Sequence, residues 1–389
     1  MGNWNKADGI FPWMVELRRS IHRYPELAFE EEFTAKRLMK ELDRLGIPYD
    51  YGGIGGGVVA RLEGGRSQPI VALRAEMDAL PGKETTSRPF RSEVAGKMHA
   101  CGHDAHMAMV MGAAALLKAD PPPGTVQFIF QPAEEIGGGA REVLKTGLLD
   151  DTEAVFGAHV TQQYIVGQIM TAPGVMTAQS DNFRIRIKGS GGHGARPHEA
   201  TDAIIVAGLL ITSIQTLVSR ESNPFHPNVV TIGRVQAGSA ANVIAEDALL
   251  EGSVRTTAPA ARNRVLNGLE RMARGAGLIH NAQVDVEFQE GYPPVINTAN
   301  ETDLARLAAA EVVGTQGLVE MDFPSMGSED FSYYLEKIPG CYTRLGARTR
   351  GQDPVALHSP AFDIDEEVLK VGACYFEQVA RDALATYAN

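Results

Sequence analysis

The feature that most constrains this chain is a change of hydrophobic period part-way along it. Up to about residue 180, apolar runs such as Val58 to Leu62, Ile70 to Arg74, Val126 to Gln131 and Ala154 to His159 are short and nearly continuous. Helical patterns lie among them at Met14 to Ser20, at Glu30 to Leu45 (stopped by Gly46-Ile47-Pro48) and at His106 to Lys118. Unbroken apolar strands interleaved with helices are covered on both faces, so this stretch predicts an α/β domain with a mostly parallel sheet. From Asp181 the period switches to two. Phe183, Ile185 and Ile187 alternate with Arg184, Arg186 and Lys188, the mark of a half-exposed strand. A helix over about Thr201 to Ser219, strands at Asn228 to Val235 and Ala248 to Thr256, and a second helix with Val265, Leu269 and Met272 on one face follow. Val284, Val286 and Phe288 close the segment as an alternating strand. The order β-α-β-β-α-β is the ferredoxin-like α+β unit, one antiparallel sheet with two helices on one face. After Gly291-Tyr292-Pro293-Pro294 the helix and strand alternation resumes. The chain therefore predicts a discontinuous α/β domain, residues 1–180 and 293–389, with an inserted domain over residues 181–292.

Charge and cysteine usage exclude several classes of partner. There are 36 basic and 48 acidic residues, a net charge of −12. That sign argues against nucleic acid and against an anionic membrane surface, both of which call for basic patches. No apolar run approaches the ~20 residues of a membrane helix. The N-terminal residues show no basic-then-apolar signal pattern, and a myristoylated Gly2 would want Ser or Thr where Lys6 stands. Cys101, Cys341 and Cys374 are too sparse for a disulfide framework and fit a reducing compartment. The expectation is a cytoplasmic protein.

The chemistry gathers where strands end. Met98-His99-Ala100-Cys101-Gly102-His103-Asp104 packs a thiol, two imidazoles and a carboxylate before a helix, whose N-terminus favours a thiolate. Taken alone, the run reads equally well as a polar helix cap. The strand ending at Gln131 runs into Glu134-Glu135, the strand from Ala154 ends at His159, and the strand from Ile70 leads to Glu76-Met77-Asp78. Neighbouring carboxylates repel unless a proton or cation intervenes. Separate strands thus deliver ligand-type side chains at the edge where open α/β sheets bind ligands. Thiolate, imidazole and carboxylate together suit zinc or another borderline divalent ion rather than magnesium or calcium. One glutamate of the pair can hold metal while the other serves as general base on water, which is metal-assisted hydrolysis.

These segments resemble the aminoacylase-type metallopeptidases and amidohydrolases, peptidase family M20. Within it they are most similar to bacterial aminoacylases, hippurate hydrolases and plant auxin-conjugate hydrolases. The matching runs are Arg19 to Leu27, Ala72 to Pro81, Met98 to Asp104, Phe130 to Glu135, Gly192 to His198, Asn242 to Ile244, Gly327 to Phe331 and Leu357 to Pro360, in family order over nearly the whole chain. The resemblance implies a metal-bearing α/β catalytic domain carrying a ferredoxin-like lid and dimerisation domain. It implies one or two divalent ions, zinc or manganese before cobalt or nickel, held by Cys101, His103, Glu135, His159 and His358. It makes Glu134 the general base and Asp78 a carboxylate that orients a ligand. The subgroup usually has Asp where Glu76 stands, and the longer side chain either shifts a metal or is absorbed. His193, in a glycine-flanked turn, is a donor for oxyanion stabilisation. The resemblance places it, with Asn242, in the site of a partner subunit within a homodimer or higher homo-oligomer. Arg255 and the Gly327-Ser328 turn are candidates for the substrate α-carboxylate.

The activity so implied is hydrolysis of the amide bond of N-acyl amino acids. A metallocarboxypeptidase or dipeptidase acting on short peptides is the alternative enzyme, and a non-catalytic binding protein the alternative of another class. Gly189-Ser190-Gly191-Gly192-His193-Gly194 also matches a dinucleotide fingerprint, but no acidic residue follows about 20 positions on. Met107, Met109 and Met111 read as helix packing, Gly52 to Gly57 as a flexible turn, and His22, His99, His106, His226 and His280 as histidines without a ligand role.

Overall fold

The computed structural model describes residues 3–388, so the reading made at Gly2 lies outside the described residues. The chain divides into two compact units. One comprises the residues up to Met176, Val295–Phe323 and those from Glu329 onward; the other comprises Thr177–Pro294 and Pro324–Ser328. The short segment belongs to the second unit because the Ala178 N–H donates to the carbonyls of Ser325 (2.8 Å) and Gly327 (3.1 Å).

In the first unit the fully apolar runs become the middle of an eight-stranded sheet. Its order is Tyr49–Tyr51, Val58–Glu63, Thr125–Gln131, Ile70–Glu76, Ala154–Ile165, Gly340–Arg348, Ile169–Met170, Leu318–Val319. The four strands from Thr125–Gln131 to Gly340–Arg348 are mutually parallel. Every residue of Ile70–Glu76 and Thr125–Gln131 is buried, as coverage on both faces requires. The parallel sheet expected from sequence is therefore the centre of a mixed one. Val58–Glu63 is antiparallel to both neighbours, since a short glycine segment before it leaves no room for a crossover. That segment contains the helical turn Gly53–Gly56 rather than the irregular turn expected. The helices His103–Ala119 and Val368–Tyr387 pack closely enough that a Cβ on Gly372 would sit 2.0 Å from Met109 Sδ. Met107, Met109 and Met111 are all fully buried in this core. After Ile70–Glu76 the chain adds one strand on one side of it and the next on the other. The strand order thus reverses at Ile70–Glu76, and the C-terminal ends around it are the expected place for a ligand.

In the second unit, alternation gives a four-stranded antiparallel sheet ordered Asn228–Ala237, Asp247–Thr256, Gln179–Lys188, Gln283–Glu290. Phe183, Ile185 and Ile187 point into a core with the helices Ala203–Thr216 and Pro259–His280, while Arg184, Arg186 and Lys188 stay exposed. The Asp202 side chain caps the first helix by accepting from the Ile204 N–H. That helix stops at Thr216 and continues as a π turn, Leu217–Glu221. The combined stretch Ala203–Glu221 has 19 residues and holds an 18-residue window with a mean hydropathy of 1.7, long and apolar enough to cross a membrane by length and composition. Its apolar residues are interrupted by Thr212-Ser213 and Gln215-Thr216, so the continuous run stays short of the ~20 residues of a membrane helix. Val206, Leu210, Ile214 and Leu217 lie in the unit's core, which accounts for one apolar face, while Ile204 and Ile205 are exposed. The glycine run ending at Gly194 does not open a helix. Gly192–His193 forms a two-residue ladder with Val243–Ile244, and the helix starts only at Ala203, so the dinucleotide reading fails.

Candidate metal centre

The cluster starts at Gly102, which has φ +90° and touches Val160 so closely that a Cβ would lie 2.4 Å from its Cγ2. Only glycine suits that turn, and it brings Cys101 and His103 together at the start of the helix His103–Ala119. His159 arrives from the central strand Ala154–Ile165, with Nε2 3.2 Å from Cys101 Sγ. Glu134 and Glu135 follow Thr125–Gln131, and His358 comes from a loop whose N–H donates to Ala100 O (2.8 Å). Donor atoms of Cys101, His103 and His159 lie within 4.8 Å of one another; so do those of Cys101, Glu135 and His358, and those of His103, Glu134 and Glu135. All five candidate ligands and Glu134 are thus drawn together, with Cys101 common to two groups. Apart from half-exposed Glu135 and exposed His358, they are buried.

The hydrogen bonds around the cluster fit a cation. His103 Nδ1 donates to Asp78 O (2.8 Å) and His159 Nδ1 to Val160 O (2.7 Å). Carbonyls only accept, so each ring carries a proton on Nδ1 and turns Nε2 toward the cluster. Burial holds His159 neutral, whereas against the cost of burial Cys101 and Asp78 raise His103 well above its ordinary range, so its Nε2 takes a cation as a proton leaves. His103 Nε2 is buried with no hydrogen-bond partner among the described residues, and buried Glu135 Oε1 has only His358 Nε2 near it (3.3 Å), a costly state that a bound cation relieves. Asp78 holds the pair from behind: Oδ2 accepts from the Glu135 N–H (2.9 Å) and its carbonyl takes the His103 proton.

Electrostatics corrects one sequence expectation. Burial, reinforced by Glu135, pushes the Cys101 thiol up to about 12, so the helix N-terminus by itself does not make a thiolate. A divalent ion would. Burial also pushes the Glu134 carboxyl well above its ordinary range, aided by Glu329, Asp330 and Glu135. Glu76 is ionised well below it: against the cost of burial, Arg74 and His106 hold the charge. One Glu76 oxygen pairs with Arg74 and the other with His106 Nδ1 (2.7 Å), while His106 Nε2 accepts from the Val160 N–H (3.0 Å). The longer side chain is absorbed in these pairs. His106, close as it is to His103, has both nitrogens engaged.

Sequence reasoning missed the buried polar bed of the cluster, built from Arg74, Gln131, Glu329, Asp330 and Tyr342. The available signal was Arg74, a charge inside an otherwise apolar strand. The remaining candidates lie in the second unit. His193 and Asn242 are both exposed and flank the same short ladder, where the Gly194 N–H donates to Asn242 O (2.9 Å). His193 Nδ1 accepts from the Ala195 N–H (3.1 Å), which leaves the proton on Nε2 as an outward donor. Arg255 Nη1 donates to Met326 O (3.0 Å) and reaches Ser328 Oγ at 3.5 Å. The Gly327 N–H, proposed from sequence as an anion donor, instead donates to Ser325 Oγ (3.1 Å).

Relatives carry the same scaffold. N-acetylcysteine deacetylase of Bacillus subtilis is 41% identical over 96% of this chain and 97% of its own. IAA-amino acid hydrolase ILR1-like 4 of Arabidopsis thaliana is 39% identical over 96% of this chain and 86% of its own. Among solved structures, the Bacillus subtilis YXEP protein, described as a dinuclear metal binding peptidase, superposes with a TM-score of 0.85 at 38% identity, covering 97% of this chain and 99% of that one. Residues 72–382 match peptidase family M20/M25/M40, and with those relatives the match establishes that the chain belongs to this family, as a metal-dependent amidohydrolase.

Proposed function

We propose that the protein hydrolyses the amide bond of N-acyl amino acids, releasing a carboxylic acid and an amino acid. The observation that carries this reading is the set of inward ligand atoms, His103 Nε2 with no hydrogen-bond partner among the described residues and Glu135 Oε1 with only His358 Nε2 near it (3.3 Å), beside a second carboxylate, Glu134, that the ligand set does not need. Cys101, His103, Glu135, His159 and His358 would hold one or two divalent ions, zinc or manganese. When bound, such an ion supplies Lewis acidity, polarising the scissile carbonyl and acidifying water. Glu134 removes the proton from the attacking water and returns it to the leaving nitrogen as the C–N bond breaks. Asp78 keeps His103 and Glu135 aimed. A deacetylase and an IAA-amino acid hydrolase among the relatives support an acyl-amide substrate, while the dinuclear metal binding peptidase keeps the peptide alternative in play.

The second unit enters as the proposed homodimer element. Its exposed Ile204 and Ile205, and Val229 and Val235 on the edge strand Asn228–Ala237, offer apolar surface and an unpaired edge. His193, with its outward Nε2–H, would steady the oxyanion in the partner's site, Asn242 beside it. Three buried free cysteines agree with action in the cytoplasm. A hydrolysis panel of N-acetyl, N-benzoyl and dipeptide substrates, run before and after chelation and metal return, tests the reading. Activity confined to dipeptides selects the metallopeptidase alternative. Full activity after metal removal overturns the metal-dependent mechanism.

A further inference from the structure

The run Gly327 to Phe331 contains two carboxylates, Glu329 and Asp330, for which the proposed chemistry has no use. Both are buried, at 3% and 0% exposure. Their carboxylates lie within 4.8 Å of that of Glu134 and of each other. Three acids so close in a dry place require a reason.

The neighbours supply part of one. Asp330 Oδ1 pairs with Arg74 Nη2 (2.6 Å), and Oδ2 accepts from Gln131 Nε2 (2.8 Å) and from the Ala140 N–H (3.0 Å). Gln131 is itself fixed by Arg74 Nε (2.8 Å). Glu329 Oε1 lies 3.0 Å from Arg74 Nη2, and Oε2 accepts from the Tyr342 hydroxyl. Arg74, Gln131 and Tyr342 from three strands of the sheet, together with Ala140, thus clamp the short stretch of backbone after Ser328. The clamped Asp330 N–H donates to Glu134 Oε1 at 3.4 Å. Charge works in the same direction. The single guanidinium of Arg74 is shared among Glu76, Glu329 and Asp330, so the wall behind Glu134 stays net negative. The donors of His103 and Glu135 lie within 4.8 Å of Glu134 as well. A long flexible carboxylate is thereby anchored at one oxygen and repelled from one side, toward the cation seat.

We infer that Glu329 and Asp330 are positioning residues for Glu134: their pinned backbone N–H and their negative wall hold that carboxylate aimed at the cation seat. The inference rests on Glu134 being the general base. In metal-loaded enzyme, Asp330→Ala should lower kcat by about 10- to 100-fold, the scale set by a small misplacement of a catalytic group. Metal stoichiometry should stay at its wild-type value and KM should move by about twofold or less. Asp330→Asn, whose carboxamide oxygen still accepts from Arg74 or Ala140 but carries no charge, should recover the part of the loss that comes from the unpinned backbone and leave the part that comes from the wall's charge. The deciding measurement is a double-mutant cycle with Glu134→Gln. If Asp330 acts through Glu134, adding Asp330→Ala to Glu134→Gln costs nothing further. Should Asp330→Ala fail to fold, Glu329→Gln, which removes wall charge at nearly constant shape, takes its place in the cycle. A crippled Glu134→Gln enzyme with a fully additive second loss overturns the positioning role alone. Near-normal turnover of Glu134→Gln overturns the base assignment, and this inference with it.

Discussion

Glu134 and Glu135 are adjacent in the chain, yet the structure gives them different surroundings. Glu135 has its backbone held by Asp78 and an oxygen beside the candidate ligand His358 (3.3 Å), while Glu134 faces Glu329 and Asp330. Replacing Glu134 with Gln should leave metal content and fold intact and cost about 10²–10⁴-fold in turnover, the usual contribution of a general base. Metal analysis beside steady-state kinetics checks both halves of that statement. Cys101→Ser should show the opposite pattern. A hydroxyl is a poor substitute for a thiolate ligand, so the variant should lose metal to a chelator faster, and its turnover should recover on adding excess metal. Retention equal to that of wild type would make Cys101 a packing residue. The protonated thiol of the metal-free site gives a further readout: because burial raises the thiol to about 12, metal binding near neutral pH must expel its proton. Titration in weakly buffered solution should record that release in wild type and a smaller release in Cys101→Ser, where the raised His103 and Glu134 still give up protons.

At the level of elements, the helix Phe11–Arg23 is tied to the helix His103–Ala119 by a buried charge cluster. Arg18 Nε donates to Asp104 Oδ2 (2.8 Å), His22 Nδ1 bonds the same oxygen (2.8 Å), and His22 Nε2 lies 3.3 Å from Glu84. Burial opposes a charge on His22, but Asp104 and Glu84 outweigh it and raise the ring to about 9. A histidine whose folded value exceeds its unfolded one stabilises the fold fully below about pH 6.5 and loses that contribution as pH rises through about 9. The stability difference between wild type and His22→Asn should therefore shrink across that window, as chemical denaturation at several pH values will show; a difference independent of pH would mean His22 is neutral in the fold. None of this was legible in the sequence, where His22 had no role. The same holds for the bed under Glu134, whose Arg74 and Asp330 stand 256 positions apart. Periodicity reports which face of an element is buried, and strand ends with ligand-type residues report where chemistry gathers. The strands around Ile70–Glu76, the Cys101–His103 turn and the Glu134–Glu135 pair were readable on those grounds. Pairings between distant charges have no period, and the protonation of Cys101 depends on burial that no local pattern encodes.

For the whole molecule, His193 lies on an exposed ribbon of the second unit, while the candidate metal donors are carried by the first, and the proposed oxyanion role of His193 has to bring them together. The proposal that does so is a two-fold homodimer in which each second unit serves the partner's metal centre, and it separates into two measurements. An isologous interface using the exposed face of the helix Ala203–Thr216 and the edge strand Asn228–Ala237 repeats any defect on both sides. Ile205, 56% exposed, should tolerate Asp as a monomer, because the substitution leaves the unit's own core untouched. Light scattering should then show a halved mass with folding preserved, and an unchanged mass would move the interface elsewhere. Activity gives the sharper measurement. Glu134→Gln and His193→Ala chains are each expected to be nearly inactive alone. If every site combines Glu134 of one chain with His193 of the other, a mixed dimer has one site carrying both defects and one carrying neither. Mixing the two variants under subunit exchange should therefore restore activity toward a quarter of wild type at equal input, since about half the dimers are mixed and each has one sound site. If His193 instead serves its own chain, every site in every dimer carries one defect, and activity stays at the level of the separate variants even when exchange is proven by differently tagged chains.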